Sequence, residues 1–148
     1  MDMEIRQVPI GQEQDDNKDS FLKSILMLGA KVLSLEKLFG WKQEPVVEAD
    51  QILLLISFGK TREYTEIIDR MFEEEFRPAP LNLFLSSGQE IRKTSEGAPV
   101  ATFGFVWALH GEMMVPCYYD SNVPEGWYLN LPWQGDRWFA VHRIQEVA

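Results

Sequence analysis

The sequence predicts an α+β fold in which two main helices pack on a curved, mostly antiparallel sheet of about five to six strands. Apolar residues recur at helical spacing over residues 21–39 and again over residues 64–72. After these segments, short apolar runs alternate with turn residues, which is typical of consecutive strands. The chain has 148 residues, a length usual for one domain.

The first residues of the chain differ from the rest in composition. Residues 1–18 carry five acids and two bases, and the stretch GQEQDDNKD is almost entirely polar. We therefore expect residues 1–18 to form a flexible acidic arm, unless the domain holds Ile5, Val8 or Ile10. The single α+β domain is predicted to span residues 19–148.

The first main helix is predicted over residues 20–39. Asp19 or Ser20 can cap its start, and Gly40 can end it. A helix this apolar should lie beneath the sheet, so Leu28→Ala is expected to cost about 2 to 5 kcal/mol of stability. The apolar stripe consists of Phe21, Ile25, Leu28, Val32, Leu35 and Phe39.

Two alternatives for this helix stay open. Its outer face could meet a partner or a second copy of the chain, or it could lie on a membrane surface as an interfacial helix. A transmembrane span is not expected, because Lys31 near its middle would be costly in hydrocarbon. Further positive charge along this segment comes from Lys23 and Lys37.

The middle of the chain predicts strand, helix and strand. The run QILLLISFG at residues 51–59 suits a strand buried on both faces. Residues 61–76 predict the second main helix, which Pro78 and Pro80 would end. The segment LNLFLSSGQEI, residues 81–91, is interpreted as a strand that runs into a turn and then a polar loop.

The last third of the chain predicts four strands. Large and small side chains alternate over residues 102–109, and Gly111 suggests a hairpin into a second strand over residues 113–119. Two further strands are predicted over residues 127–131 and 137–144, joined by the turn PWQGD. The aromatic stretch that contains these two strands is interpreted mainly as sheet.

Composition limits the environment and the partners. The net charge of −9 and the pI near 4.7 disfavour direct binding to nucleic acid. Cys117 is the single cysteine and the N-terminus has no apolar signal core, so a cytoplasmic location is expected.

No residue pattern predicts catalysis, a metal or a cofactor. Candidate groups are present, but a hairpin at Gly111 would place His110 at the turn and Cys117 far from it, near Phe105. The histidine spacing does not suit a metal, and ISFGKT lacks the upstream glycine of a phosphate-binding loop. Substitution of Cys117, His110 or His142 is therefore expected to leave function largely intact. The other candidate groups are Asp120 and Asp136.

The acidic outer face of the second helix is the predicted partner-binding surface. Its carboxylates could attract lysine and arginine on a basic protein partner. The predicted residues are Glu66, Asp69, Glu73 and Glu74, with Asp120 and Glu125 as a possible extension.

These patterns favour a small acidic binding protein, without enzymatic activity, that neutralises or escorts a basic protein partner. An immunity protein, a phage-encoded inhibitor and a secretion chaperone are examples of this class. The order of elements loosely resembles cone-shaped α+β domains of the nuclear-transport-factor-2 type, which implies helices over a curved sheet that encloses a pocket. A small-ligand protein or enzyme of that shape is therefore one alternative, and a structural subunit of a homo-oligomer is another. The possible pocket aromatics and polar group are Trp107, Tyr118, Trp127, Trp138 and His142.

Overall fold

The computed structural model describes residues 3–9, 16–40 and 51–144. Within them the chain forms nine strands and five helices. The helices are α1 (Asp16–Met27), α2 (Leu35–Phe39), α3 (Tyr64–Glu73), α4 (Leu81–Ser86) and α5 (Gly88–Thr94). The strands are β1 (Glu4–Val8), β2 (Lys31–Val32), β3 (Gln51–Ser57), β4 (Arg77–Pro78), β5 (Val100–Ala101), β6 (Trp107–Leu109), β7 (Glu112–Tyr118), β8 (Glu125–Tyr128) and β9 (Trp138–Ile144).

All nine strands belong to one mixed sheet. Its main path is β1-β3-β9-β5-β7-β6-β2, with β4 paired to β9 and β8 paired to β7. The described ladders are antiparallel except for β5 against β9. Met114 of β7 pairs with both β6 and β8, and Cys117 of β7 pairs with both β5 and β8. Since a strand has two edges, β8 lies on one edge of β7, and β5 and β6 lie one after the other on the opposite edge.

Helices cover both faces of this sheet. Alternate residues of β3 and β9 point to opposite faces, so each strand feeds two cores. On the first face, α2 and α3 bury Leu35, Ile67, Ile68 and Met71 with Leu54, Ile56, Phe139 and Val141. On the second face, α4 and α5 bury Phe84 and Ile91 with Leu53, Leu55, Trp138 and Ala140, and α1 packs beside α4.

The predicted arrangement of two main helices on five to six strands was wrong. Part of the error lies in residues 81–91, which form α4 and α5 instead of a strand. The buried residues recur at helical spacing, and Pro80 stands at the N-cap, where its missing N–H costs no helical hydrogen bond. The residues at that spacing are Leu81, Phe84, Leu85, Gly88 and Ile91. Helices on both faces also depart from the cone shape that the loose resemblance implied.

The predicted helix over residues 20–39 is divided in two. The first part, α1, ends at Met27, and Gly29 follows in the left-handed conformation with a φ of 89°. The N–H of Ala30 donates to Ile25 O at 3.2 Å and the N–H of Gly29 donates to Leu26 O at 3.0 Å, which together form a Schellman motif. A short strand and α2 follow, and the predicted stop at Gly40 is confirmed as the αL cap of α2.

This break exposes residues that the sequence analysis placed in the core. Phe21 and Ile25 are buried, and the Phe21 ring packs edge-on to Trp107 with centroids 5.6 Å apart. Leu28, however, is 63% exposed. The expected core role of Leu28 was therefore wrong.

We now expect the stability cost to fall on Ile25 instead. Ile25→Ala should cost about 2 to 4 kcal/mol, because it opens a cavity between α1 and α4. Leu28→Ala should change the free energy of unfolding by about 0.5 kcal/mol or less. Urea unfolding of the two variants measures the difference, and equal costs would contradict the assignment of Leu28 to the surface.

Parts of the predicted acidic arm belong to the sheet and to α1, which begins at Asp16 and not at the predicted caps Asp19 or Ser20. Residues 4–8 form β1, which pairs antiparallel with β3 from Glu4 opposite Ser57 to Val8 opposite Leu53. Val8 is buried, so it supplies the anchor that the sequence analysis allowed for. Ile10 lies outside the described residues.

Several predicted elements are confirmed. The strand over residues 51–59 is β3, the second main helix is α3, and the hairpin at Gly111 joins β6 to β7. The predicted strand over residues 102–109 was too long, because β6 covers only Trp107–Leu109. His110 and Gly111 both have positive φ, 50° and 80°, as a tight two-residue turn requires. The last two predicted strands, β8 and β9, are not neighbours, because β8 pairs with β7 and β9 pairs with β3, β4 and β5.

Candidate functional site: an acidic helix face

The outer face of α3 carries exposed carboxylates. Glu66, Asp69 and Glu73 lie three and four residues apart and therefore share one face of the helix. The opposite face is buried through Ile67, Ile68 and Met71. Burial of that face holds the acidic face in a fixed orientation.

Arginines of the same helix region partly balance these acids. Arg62 Nη1 lies 3.5 Å from Glu66 Oε2, and Arg70 lies 3.8 Å from Glu73 Oε2 and 3.7 Å from Glu74 Oε1. The Glu66 and Glu73 side chains stay 55% and 66% exposed, whereas that of Glu74 is 37% exposed. Because exposed pairs contribute only about 0 to 1 kcal/mol, a partner could replace them at low cost.

The end of α3 is tied to the sheet. Arg143 of β9 donates from Nη2 to Glu74 O at 2.8 Å, and its guanidinium lies 4.3 Å from the centre of the Phe76 ring. The backbone of Glu74 is thus anchored to β9, and its side chain, which pairs with Arg70, is less exposed than those of Glu66 and Glu73. Glu66, Asp69 and Glu73 are the better candidates for contact with a partner.

Asp120 and Glu125 do not lie on α3 but at the turn between β7 and β8. Both are exposed. Tyr119 and Trp127 form an aromatic pair beside them, with ring centroids 5.3 Å apart, and Arg137 lies 5.0 Å from the centre of the Trp127 ring. The two acids thus accompany an aromatic patch at the edge strand β8 and do not extend α3.

The predicted pocket residues are not brought into one pocket. Tyr118 and Trp138 are buried on the second face of the sheet, where the Tyr118 hydroxyl donates to Phe84 O at 2.9 Å. Trp107 is buried against α1, and the half-buried Trp127 packs against the core of the first face. Most of these aromatic rings therefore fill cores.

A cleft that the sequence analysis missed lies at the end of β1 and β3. Its volume is about 720 Å³. It draws its walls from four separate segments of the chain, so no local pattern could have revealed it. The polar and aromatic residues that line it are Glu4, Arg6, Ser57, Phe58, Ser95, Glu96, Asp136 and Trp138.

Two polar side chains of this cleft, Arg6 and Ser57, already make hydrogen bonds within the fold. Arg6 donates from Nη1 to Thr94 O at 2.9 Å, pairs with Glu4 at 3.2 Å, and lies 4.5 Å from the centre of the Trp138 ring. The Ser57 hydroxyl donates to Gly135 O at 3.1 Å. The Arg6 contacts tie β1 to α5 and to Trp138 of β9, and neither Arg6 nor Ser57 is left poised for chemistry.

The candidate nucleophile and bases are kept apart. His110 is at the exposed hairpin turn, seven residues from Cys117 along β7, which corresponds to about 20 Å of strand. Cys117 points to the first face of the sheet, and His142 lies on the second face with Trp138 and Ala140. Asp120 and Asp136 are exposed, and the nearest partner of Asp136 is Arg137 at 3.1 Å. No dyad of the kind that activates a thiol forms among these groups.

The His142 side chain is neutral at pH 7 and above, because its pKa is lowered. Burial lowers its pKa from the usual 6.5, and the nearby positive charge of Arg77 lowers it further. As the pH falls through 6.5, the unfolded chain binds a proton before the folded chain does. His142 therefore contributes stability above pH 6.5 that is lost on acidification.

Cys117 should be chemically silent in the folded protein. Burial raises the pKa of its thiol to about 12, and the free thiol is fully buried. Because the thiolate is the reactive species, we expect a disulfide reagent at pH 8 to modify Cys117 only as fast as the chain unfolds. The rate should rise steeply with urea, and rapid modification without denaturant would contradict this burial.

In the described ranges, histidine, cysteine, aspartate and glutamate side chains do not converge in groups of three that could hold a metal ion. Within the same ranges, every helix is too short or too polar to cross a membrane.

Comparisons of the chain with protein-family models, curated proteins and solved structures gave no match.

Proposed function

We propose that this protein is a small binding protein, without enzymatic activity, that neutralises or escorts a basic protein partner in the cytoplasm. The observation that carries the proposal is the row of exposed carboxylates Glu66, Asp69 and Glu73 on a helix whose other face is buried in the core. A rigid acidic row of this kind favours recognition of lysine and arginine side chains.

Charge outside α3 supports the same class of partner. The net charge of −9 attracts a basic protein over distance and opposes direct binding of nucleic acid. The aromatic patch with Asp120 and Glu125 offers a second contact, since tyrosine and tryptophan are enriched at the energetic centres of interfaces. Such a binding mode suits an immunity protein, a phage-encoded inhibitor or a secretion chaperone.

The partner can be captured by comparing two charge variants. Wild-type protein, Asp69→Lys/Glu73→Lys and Glu96→Lys/Glu112→Lys should be coupled to resin, exposed to host lysate and analysed by mass spectrometry. The second variant is matched in charge change and places its lysines away from α3. We expect a basic protein on the wild-type and control resins that is lost on the α3 variant.

Association kinetics with that partner test the mechanism. Raising the salt from about 0.05 to 0.5 M shortens the Debye length from roughly 14 to 4 Å. We expect the association rate to fall by about tenfold or more with salt, and by a similar factor in Asp69→Lys/Glu73→Lys at low salt. A salt-independent rate, or equal losses in both charge variants, would contradict the role of α3.

A further inference from the structure

The apolar core on the second face of the sheet extends to a titratable group, His142 near the end of β9. The side chain is partly buried, and it shares this face with Leu53, its partner across the ladder with β3. Leu53 pairs in turn with Val8 of β1, and both belong to the same core as Ala140. Helix α4, which contains no charged residue, adds Leu83 to this core. These surroundings disfavour a positive charge on the imidazole ring.

One ring nitrogen of His142 is buried without a hydrogen bond. Among the described residues, Nδ1 has neither a donor nor an acceptor as partner. An imidazolium carries a hydrogen on both ring nitrogens. Protonation of the folded protein would therefore bury an N–H donor that lacks an acceptor, in addition to a charge.

The charged side chains around His142 are mainly arginines. Arg77 of β4 stands directly opposite His142 in the ladder. Arg143, the next residue of β9, points to the first face, where it donates to Glu74 O, and Arg6 of β1 reaches toward the first residue of β9. Burial lowers the pKa of His142 and the charge of Arg77 lowers it further, and within the described ranges no carboxylate raises it.

The guanidinium of Arg77 is held at the end of α3. Its Nη1 donates to Phe76 O at 3.1 Å, and its carbon lies 4.8 Å from the centre of the Phe72 ring. These contacts keep the positive charge within electrostatic range of His142. Movement of this charge away from the histidine would therefore loosen the junction between α3 and β4.

Strand β4 depends on β9 for its place in the sheet. It has two residues, and in the described chain it pairs with no other strand. The N–H of Ala79 donates to Ala140 O at 2.9 Å. By the alternation of an antiparallel ladder, the next hydrogen-bonded pair is Arg77 with His142, and Pro78 between them has no N–H to add.

We propose that His142 and Arg77 form a switch that opens the β4–β9 ladder in acid. A protonated His142 faces a like charge across the ladder and has no acceptor for its Nδ1 hydrogen. Separation of residues 74–78 from β9 relieves both conditions, because water then reaches the ring. The opening stops at Ala79, whose carbonyl oxygen accepts a hydrogen bond from the Thr102 hydroxyl.

Proton linkage determines the pH range of this opening. In the open form the imidazole is exposed, and its pKa should be near the ordinary 6.5. As the pH falls below 6.5, the open form binds a proton before the closed form does, so the open population rises by up to about tenfold per pH unit. The rise ends at the pKa of the closed form, which burial and Arg77 hold below 6.5.

Amide hydrogen exchange of the full chain measures the opening. The N–H of Phe76, which donates to Met71 O at 2.8 Å, is the reporter, and the N–H of Ile91, which donates to Ser87 O at 2.9 Å, represents the rest of the fold. After correction for intrinsic rates, we expect the Phe76 amide to exchange about fivefold or more faster at pH 5.5 than at pH 7.5. Its exchange should depend little on low urea, whereas that of Ile91 should rise steeply with urea, as global unfolding requires.

Substitutions separate the two members of the switch. His142→Gln and His142→Leu cannot be protonated, so the exchange of Phe76 should lose its dependence on pH in both. Arg77→Met removes the charge and keeps an unbranched side chain, so the pKa of His142, followed by NMR, should move upward towards 6.5. His110→Gln at the hairpin turn and Arg92→Met on α5 are the matched controls, and they should leave both measurements unchanged.

Four results would overturn the proposal. Wild-type exchange that is the same at pH 7.5 and 5.5 would exclude the opening. A pH dependence that survives in both His142 variants would assign it to another group. Exchange of Phe76 with the rate and urea dependence of Ile91 would mean that only global unfolding occurs. A pKa of His142 at or above 6.5 would mean that the folded protein favours the imidazolium.

Discussion

Gly104→Ala is expected to destabilise the protein by about 3 kcal/mol or more, because the position has no room for a side chain. A Cβ at Gly104 would lie 2.0 Å from Ala79 O and 2.6 Å from Ala79 C, which are backbone atoms that cannot rotate away. The hydroxyl of Thr102 also donates to Ala79 O and so holds the same segment. Relief of the clash would therefore have to move the segment that follows β4.

Gly126→Ala provides the matched control. Its Cβ would meet Trp107 Cζ2 at 2.9 Å and Met114 Cε at 3.0 Å, both at the far ends of side chains. We expect a cost of about 1 kcal/mol, because the methionine end can adjust. Urea unfolding of both variants measures the difference, and a Gly104→Ala protein as stable as Gly126→Ala would show that the segment after β4 yields easily.

Phe139→Ala should be the most damaging truncation in the core on the first face of the sheet, with a cost of about 3 to 5 kcal/mol. The ring is 2% exposed on the central strand β9 and packs against Phe58, Phe103 and Trp133, with centroids 6.2, 5.2 and 5.4 Å away. Loss of the ring removes a shared neighbour from three aromatic side chains that come from separate parts of the chain.

Two further variants define this effect. Phe139→Leu should recover part of the stability, because it refills much of the cavity. Tyr128→Ala, at an aromatic residue that is 47% exposed, should cost about 1 kcal/mol or less. If Phe139→Ala and Tyr128→Ala have the same melting temperature, the three neighbouring rings must move to fill the cavity that Phe139 leaves.

Hydrophobic periodicity and turn residues predicted three elements correctly, namely β3, the β6–β7 hairpin and α3. The run QILLLIS became β3, and the hairpin followed from alternation around His110 and Gly111. The acidic and apolar faces of α3 also followed from helical spacing. In each of these cases periodicity and turn residues agreed.

The failures arose where two local signals competed. Apolar spacing ran through Gly29 and suggested one long helix, but the αL conformation of Gly29 ended it. In residues 81–91 the apolar content suggests a strand, whereas Pro80 and the spacing of Leu81, Phe84 and Leu85 indicate the helix that forms. The cleft beside Arg6 and the exposure of Leu28 depend on tertiary packing, which one sequence does not show.

The position of β9 in the sheet has a consequence for the kinetics of folding. This strand is the last one along the described chain, yet it pairs with β3, β4 and β5. Until it is in place, the pair β1–β3 and the group around β7 have no strand that joins them in the sheet. Sheets closed by such distant pairings fold in about milliseconds to seconds. During that interval the edges of β3 and β5 that β9 will cover have unpaired backbone groups, and a chaperone that holds unfolded chains would bind at these edges.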